Sequence, residues 1–336
     1  IVRIMKWIIT IPAILLFALA GCGKDKQSTN ELITVDVTAS YPKKELILQD
    51  FMDVEYIPLE TKDDFICQGL VLAIGKDIIL ARNQIRDGDI FIYDRKTGKG
   101  LKKINREGQG GEEYTFIQRI VLDEKQNEIF VLDHFSRKIS VYNLDGNFKR
   151  SLKRGDELYF FHLYNFNQTS LITNNYWVTD KPAFTIISKQ DGTTKQIQIP
   201  FKEKISMAVN YSDKAKDIYY NVIPDNYNPI IPYFDCWVLV EQSSDTVYKY
   251  QSDHKMIPII ARTPSVQSMN PEVFLFLGIL TNRYYFMETV KKEYNFETHE
   301  GFPTTDLLYD KQEKAIFEYI VYNNDYSAVS YTHLRA

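Results

Sequence analysis

The chain is poor in the residues that most often announce a chemistry. Three cysteines and five histidines are scattered through 336 residues. No histidine stands in an H-E-x-x-H or H-x-H spacing or beside a cysteine pair, so the zinc patterns fail on spacing. There is no Gly-x-Ser-x-Gly elbow for a nucleophilic serine. No residue nominates itself as catalytic, and neither a metal nor a cofactor is expected. Charge of one sign is also lacking. Basic residues number 40 against 44 acidic ones, a net charge of -4, and the lysines and arginines are dispersed. Without a basic stripe there is no electrostatic case for a nucleic-acid partner. Long apolar runs are missing too. The stretch from Trp7 to Ala20 falls short of the roughly 20 residues that a membrane-spanning helix needs.

What the chain does have is apolar and aromatic material. Hydrophobic residues make up 44% and aromatic residues 14%, with 23 tyrosines and 20 phenylalanines. That is enough for a full core, and it leans toward β structure because flat and branched side chains suit a pleated surface.

The first residues read as an address. Met5-Lys6 gives a basic start, with Ile1 to Ile4 ahead of the expected true initiator. The apolar run then ends in Leu19-Ala20-Gly21-Cys22, small residues before a cut, which describes a secretory signal over residues 1–21. The tetrad resembles the bacterial lipobox. That resemblance implies lipid on the Cys22 thiol and membrane attachment through it, as an outer membrane lipoprotein facing the periplasm or the cell surface. The polar stretch that follows reads as a flexible tether over residues 22–44. Of the remaining cysteines, Cys67 and Cys236 lie in different apolar contexts. An exported chain could pair them; two buried free thiols is the favoured reading.

Repetition comes next. Five apolar segments each run into a polar turn and resume as a strand: FIYDRKTGKG (91–100), SVYNLDGNFK (140–149), TIISKQDGTTK (185–195), VYKYQSDHKM (247–256) and LLYDKQEKA (307–315). Two turns hold Asp-Gly, a strong hairpin signal. The spacing of about 45 to 60 residues is the size of a four-stranded propeller blade. The second unit is clearest, with strands expected at 119–124, 128–133, 138–143 and 148–153. In the first two units the outer strand carries lysine and arginine, which guard an open sheet edge. Further blades are expected at about 159–199, 228–262 and 273–321. Residues 207–229 read as a long loop or subsegment over one face, and 54–64 as a lone strand that closes the ring.

The stretch INREGQGGEEYTFI (104–117) packs glycines beside glutamates. A phosphate cradle would need a Lys-Ser/Thr pair and a following helix. Here Glu112 and Glu113 would repel an anion, and a strand follows. Gly108, Gly110 and Gly111 are instead expected to supply backbone angles other residues resist, in a turn between blades, with Tyr114 packed between them.

YIPLET (56–61), the Tyr-Asp-x-x-x-Gly hairpin and GQGGEEY (108–114) together resemble the six-bladed β-propeller lipoproteins of Gram-negative gut-type bacteria, relatives of NHL-like and TolB-like propellers. The resemblance spans roughly residues 45–326. It implies an all-β fold, a six-bladed β-propeller of four-stranded antiparallel blades. It implies little about chemistry, since a fold does not confer a function. The family's usual Gly-x-Gly-Pro-Gly-Glu-Tyr lacks its proline here. Five blades are visible against six, and the tail SAVSYTHLRA resembles a translated adapter read-through. The propeller is therefore expected to be truncated after blade five, with 327–336 non-native.

Candidate ligand-binding residues follow from position. Arg119 opens an inner strand and would point into the channel. Asp133, His134 and Arg137 sit on one short loop as a carboxylate, an imidazole and a guanidinium. Trp177 stands beside Asn174 and Asn175 and could stack on a sugar ring or a peptide. Tyr219, Tyr220 and Tyr227 in the insertion offer similar surfaces, whereas His162 and Tyr164 read as packing between blades. The expectation is a lipid-anchored binding module for a glycan, a peptide or a partner protein. The alternative is a hydrolase or lyase that uses channel carboxylates, with or without a divalent metal.

Overall fold

The computed structural model describes residues 32–84, 87–153, 160–175, 183–225 and 227–325. They belong to one compact unit from Leu32 onward. Its regular structure is β-strand, with four short 3-10 turns.

Three sheets are four-stranded antiparallel meanders. The first blade runs through Leu70–Ile74, Ile78–Arg82, Asp89–Asp94 and Gly100–Asn105. The second uses Ile117–Asp123, Glu128–Asp133, Lys138–Asn143 and Phe148–Lys153, and the third Phe160–Asn165, Ser170–Asn175, Phe184–Ser188 and Thr194–Ile197. The Asp145-Gly146 and Asp191-Gly192 turns place their glycines at φ of +82° and +79°, which a Cβ would oppose.

The fourth and fifth blades differ by one strand each. Blade four runs Ile230–Tyr233, Cys236–Leu239, Thr246–Gln251 and Met256–Thr263, and Ile33–Asp36 then adds in parallel to its outer edge. Blade five runs Val273–Leu280, Tyr284–Lys291, Thr304–Asp310 and Ala315–Tyr322, and Lys43–Ile47 adds in parallel to its outer edge. The stretch expected to be tether therefore contains a strand whose Val35 is fully buried. Among the described residues there are five such sheets.

Residues 54–64 form no strand, contrary to expectation. Together with the residues on either side of them, they cover sheet faces. Leu48, Phe51, Met52 and Val54 pack on the free face of blade five against Tyr284, Phe286 and Val321. Further on, Ile57, Leu59, Phe65 and Cys67 pack on the free face of blade one against Phe91 and Tyr93. A strand pairs edges, but here two apolar faces need burial, and an irregular segment can turn alternate side chains to both. Backbone bonds fix it, with Glu60 N–H donating to the Gly98 carbonyl at 2.8 Å. Elsewhere the faces bury each other: blade one on two, two on three, three on four and four on five. Cys67 and Cys236 sit in separate clusters as free thiols.

The insertion is an antiparallel hairpin, Val209–Asp213 with Ile218–Val222, not an open loop. Tyr211 and Tyr220 face each other across it and pack on Phe296.

Candidate functional site

The first strands of blades one, two and three stand side by side. Their ends lie at one level, because Glu124, just past blade two's first strand, accepts from the backbone N–H groups of Asp77 and Ile78 at 2.8 and 3.1 Å. Blade three joins at the same level, where Asn165 Nδ2 donates to the Leu122 carbonyl at 3.1 Å. Between these strands opens a cavity of about 1140 Å³, which Pro232 of blade four also lines. That is somewhat above the usual size of small-molecule pockets, about 300–1,000 Å³.

One wall is apolar. Leu70, Val71 and Ile74 of blade one are 38%, 45% and 63% exposed toward solvent, a large apolar surface for a strand this central. Blades two and three add polar groups beside the apolar Ile120, Leu122 and Leu163. Arg119 is exposed there, and His162 and Tyr164 line the same space from blade three. The two rings lie two residues apart on one strand face, nearly parallel at 7°. Burial pushes the His162 imidazole below its ordinary value, against the hydrogen bond it makes with Asn174 Oδ1 at 3.1 Å, and the Arg119 charge pushes the same way. Burial raises the Tyr164 phenol, and Arg119 partly offsets this.

The acidic residues lining the cavity lie at the far end and are engaged. Asp123 pairs with the buried Lys189, whose ammonium also reaches Asn165 Oδ1 at 2.7 Å and the Asn167 carbonyl at 2.6 Å. Burial lowers the Lys189 pKa, and Asp123 opposes that. The Glu124 carboxylate is held by the backbone N–H groups of blade one's turn. Among the described residues no group of three or more His, Cys, Asp or Glu could hold a metal ion.

The structure separates the candidates read from sequence. Arg119 lines the cavity. Asp133 is fully buried and turned to the backbone, accepting from Thr115 N–H at 2.6 Å, Thr115 Oγ1 at 2.8 Å, Phe135 N–H at 3.0 Å and Ser136 N–H at 3.2 Å. Burial would raise its pKa, and those donors hold it below the ordinary carboxylate value. A carboxylate so occupied organises a turn. His134 packs on Phe116 and Phe135, and Arg137 sits at a φ of +50° in the same turn. None of these three lines the cavity. Trp177 lies outside the described residues. Tyr227 is structural, donating to the Val240 carbonyl at 2.6 Å, while Tyr219 is 66% exposed on the hairpin.

The glycine loop links blades one and two, and one expectation about it needs correcting. None of Gly108, Gly110 and Gly111 has a positive φ. What glycine allows is close approach: a Cβ on Gly108 would lie 1.9 Å from Glu113 Oε2. That carboxylate accepts from Gly110 N–H at 2.8 Å. Tyr114 is fully buried, with its ring edge-on to Tyr142 at 5.9 Å and its hydroxyl donating to the Gly88 carbonyl at 2.6 Å.

Sequence reading missed the cavity's other residues. His162 and Tyr164 sit two apart on one strand, and Leu163 between them is buried in a core cluster yet also borders the cavity, so alternation alone does not mark the lining.

The family described as 6-bladed beta-propeller matches residues 23–335. Among solved structures, the chain is similar to a Bacteroides fragilis protein described as exported, at 15% identity and a TM-score of 0.53, over 85% of this chain and 79% of that one. It is also similar to a Bacteroides vulgatus protein at 13% identity and a TM-score of 0.48, over 78% and 83%. A virginiamycin B lyase from Staphylococcus aureus matches at 7% identity and a TM-score of 0.35, over 75% and 88%. No curated protein matches the chain.

Proposed function

We propose a function from one premise: the chain belongs to the six-bladed β-propeller family that matches residues 23–335. It is a binding module of the cell envelope that takes its ligand in the space between its inner strands. The observation that carries this reading is the cavity itself, about 1140 Å³, lined by the apolar Leu70, Val71 and Ile74 together with Arg119, His162 and Tyr164. Such a mixed lining suits a small molecule or a peptide segment that has both apolar and polar surface.

Nile red, a neutral apolar dye, tests the site. Its fluorescence should rise with the purified protein, and Val71→Asp should suppress the rise. Phe135→Asp, which alters the exposed ring beside His134, should not. The reverse pattern would move the site to the Asp133–Arg137 turn and end the cavity reading.

Export and a lipid on Cys22 complete the proposal, with the outer membrane as the destination. Support comes from the Leu19-Ala20-Gly21-Cys22 tetrad and from the likeness to a protein described as exported. Cells fed an alkynyl fatty acid should label this chain and should fail to label the Cys22→Ser variant. Equal labelling of both would remove the anchor.

A further inference from the structure

We infer that the inserted hairpin carries a second binding face, which takes one ring of a neutral oligosaccharide with Tyr219 as the stacking surface. The inference does not depend on the cavity.

The hairpin has two faces because side chains alternate along its strands. Tyr211 and Tyr220 are register partners and share one face. Their rings lie 6.2 Å apart and pack on Phe296, at 5.2 and 6.0 Å, in the turn between blade five's second and third strands. Those contacts hold the hairpin from one side. The other face carries Asn210, Ser212, Tyr219 and Asn221, all of them exposed. Ser212 is the register partner of Tyr219, and Asn210 lies two residues along from it. The Tyr219 hydroxyl nevertheless donates to Asn210 Oδ1 at 3.1 Å. The ring therefore leans across the sheet instead of standing off it, and at 66% exposure it offers a flat side to solvent. Asn221 Nδ2 donates to the same Asn210 oxygen at 2.7 Å, which fixes the two amides relative to the ring. The Asn210 amide N–H pair, the Asn221 side-chain carbonyl and the Ser212 hydroxyl make no hydrogen bond among the described residues, so they are the groups that meet a ligand.

Size and charge select the occupant. Two strands about 4.8 Å apart and two rows of side chains make a patch on the order of 100 Å². A stable protein partner covers about 800 Å². One sugar ring is of the smaller size. None of the four side chains on this face is charged, and Asp213 on the other face is paired with Lys216 at 3.3 Å. The complementary ligand is therefore neutral. A pyranose has a C–H face that lies against a phenol ring and hydroxyls at its rim that bond to amides. An alkyl chain would cover the same amides and return none of the hydrogen bonds they make to water.

Saturation-transfer NMR on the purified protein tests this, with neutral hexasaccharides of glucose, mannose, galactose and xylose and the anionic hexagalacturonate as probes. At least one neutral probe should receive saturation, strongest on the C–H protons of one ring face. Tyr219→Ala should weaken that probe about ten-fold, the scale of one lost stacking contact. Tyr219→Phe should keep most of the binding, and Asn221→Ala should weaken it by a smaller factor. Val71→Asp, in the cavity, should leave it unchanged. The urea midpoint of each Tyr219 variant should stay where it is, because the ring is exposed. No saturation on any neutral probe overturns the proposal. So does saturation that survives Tyr219→Ala, or that is lost with Val71→Asp instead. Tighter binding of hexagalacturonate than of every neutral probe overturns it as well.

Discussion

Asp310 shows what single residues contribute here. It is fully buried at the end of blade five's third strand. Lys44 Nζ lies 2.8 Å away and Arg283 Nη2 3.0 Å away, and the N–H groups of Gln312 and Glu313 donate at 2.9 and 3.3 Å. Burial alone would raise its pKa; these four donors more than reverse that and hold the carboxyl far below its ordinary value. A depressed folded-state pKa gives stability that is complete above the unfolded value of about 3.9 and is lost as pH falls toward the folded value. Asp310→Asn should therefore cost roughly 2 kcal/mol at pH 7. The gap to the unaltered protein should narrow below about pH 4. Urea unfolding at pH 7, 5 and 3 measures it, and a gap that is constant with pH would reject the account. Asp94 and Asp213 accept from turn N–H groups in the same way, and so does Asp133. That series was legible in the sequence as aspartates ending strands, and it explains why Asp133, taken alone, resembled a ligand-binding residue. Tyr164 and His162 were not legible as cavity residues, because an aromatic on a strand serves a core or a cavity with the same period.

At the scale of elements, the strands were largely legible and their edges only half so. In blade two the expected and observed strands coincide at 128–133, 138–143 and 148–153. Hairpins are local, so a turn and two alternating runs suffice to place them. The parallel strands Ile33–Asp36 and Lys43–Ile47 were missed because their partners lie more than 200 residues away. A signal did exist. Lysines and arginines mark the outer strands of blades one and two, KKIN and FKRSLK, which remain edges. The outer strands of blades four and five, MIPIIART and AIFEYIVY, are largely apolar and are covered. An outer strand without guarding charge needs a partner. Val35→Asp would bury an unpaired carboxylate at a cost of several kcal/mol. Hydrogen exchange should then accelerate at 33–36 and 256–263, with 117–153 keeping its protection. Uniform acceleration through blade two would show that the added strand is not a separable element.

At the scale of the molecule, the N-terminal segment ties distant parts together. It pairs with blades four and five, then covers the free faces of blades five and one. The repeat of about 45 to 60 residues made the blades visible in sequence. The cavity could not be seen there, since it exists only where strands at 70–74, 117–123 and 160–165 converge. That convergence is the account's central claim, and photolabelling tests it most directly. A diazirine-bearing decanol, activated on the purified protein and mapped by peptide mass spectrometry, should mark peptides containing 70–75, 119–125 or 162–168, and excess decanol should prevent the labelling. Label that excess decanol does not compete away, or that falls on the Asp133–Arg137 turn or the 209–222 hairpin, would contradict it.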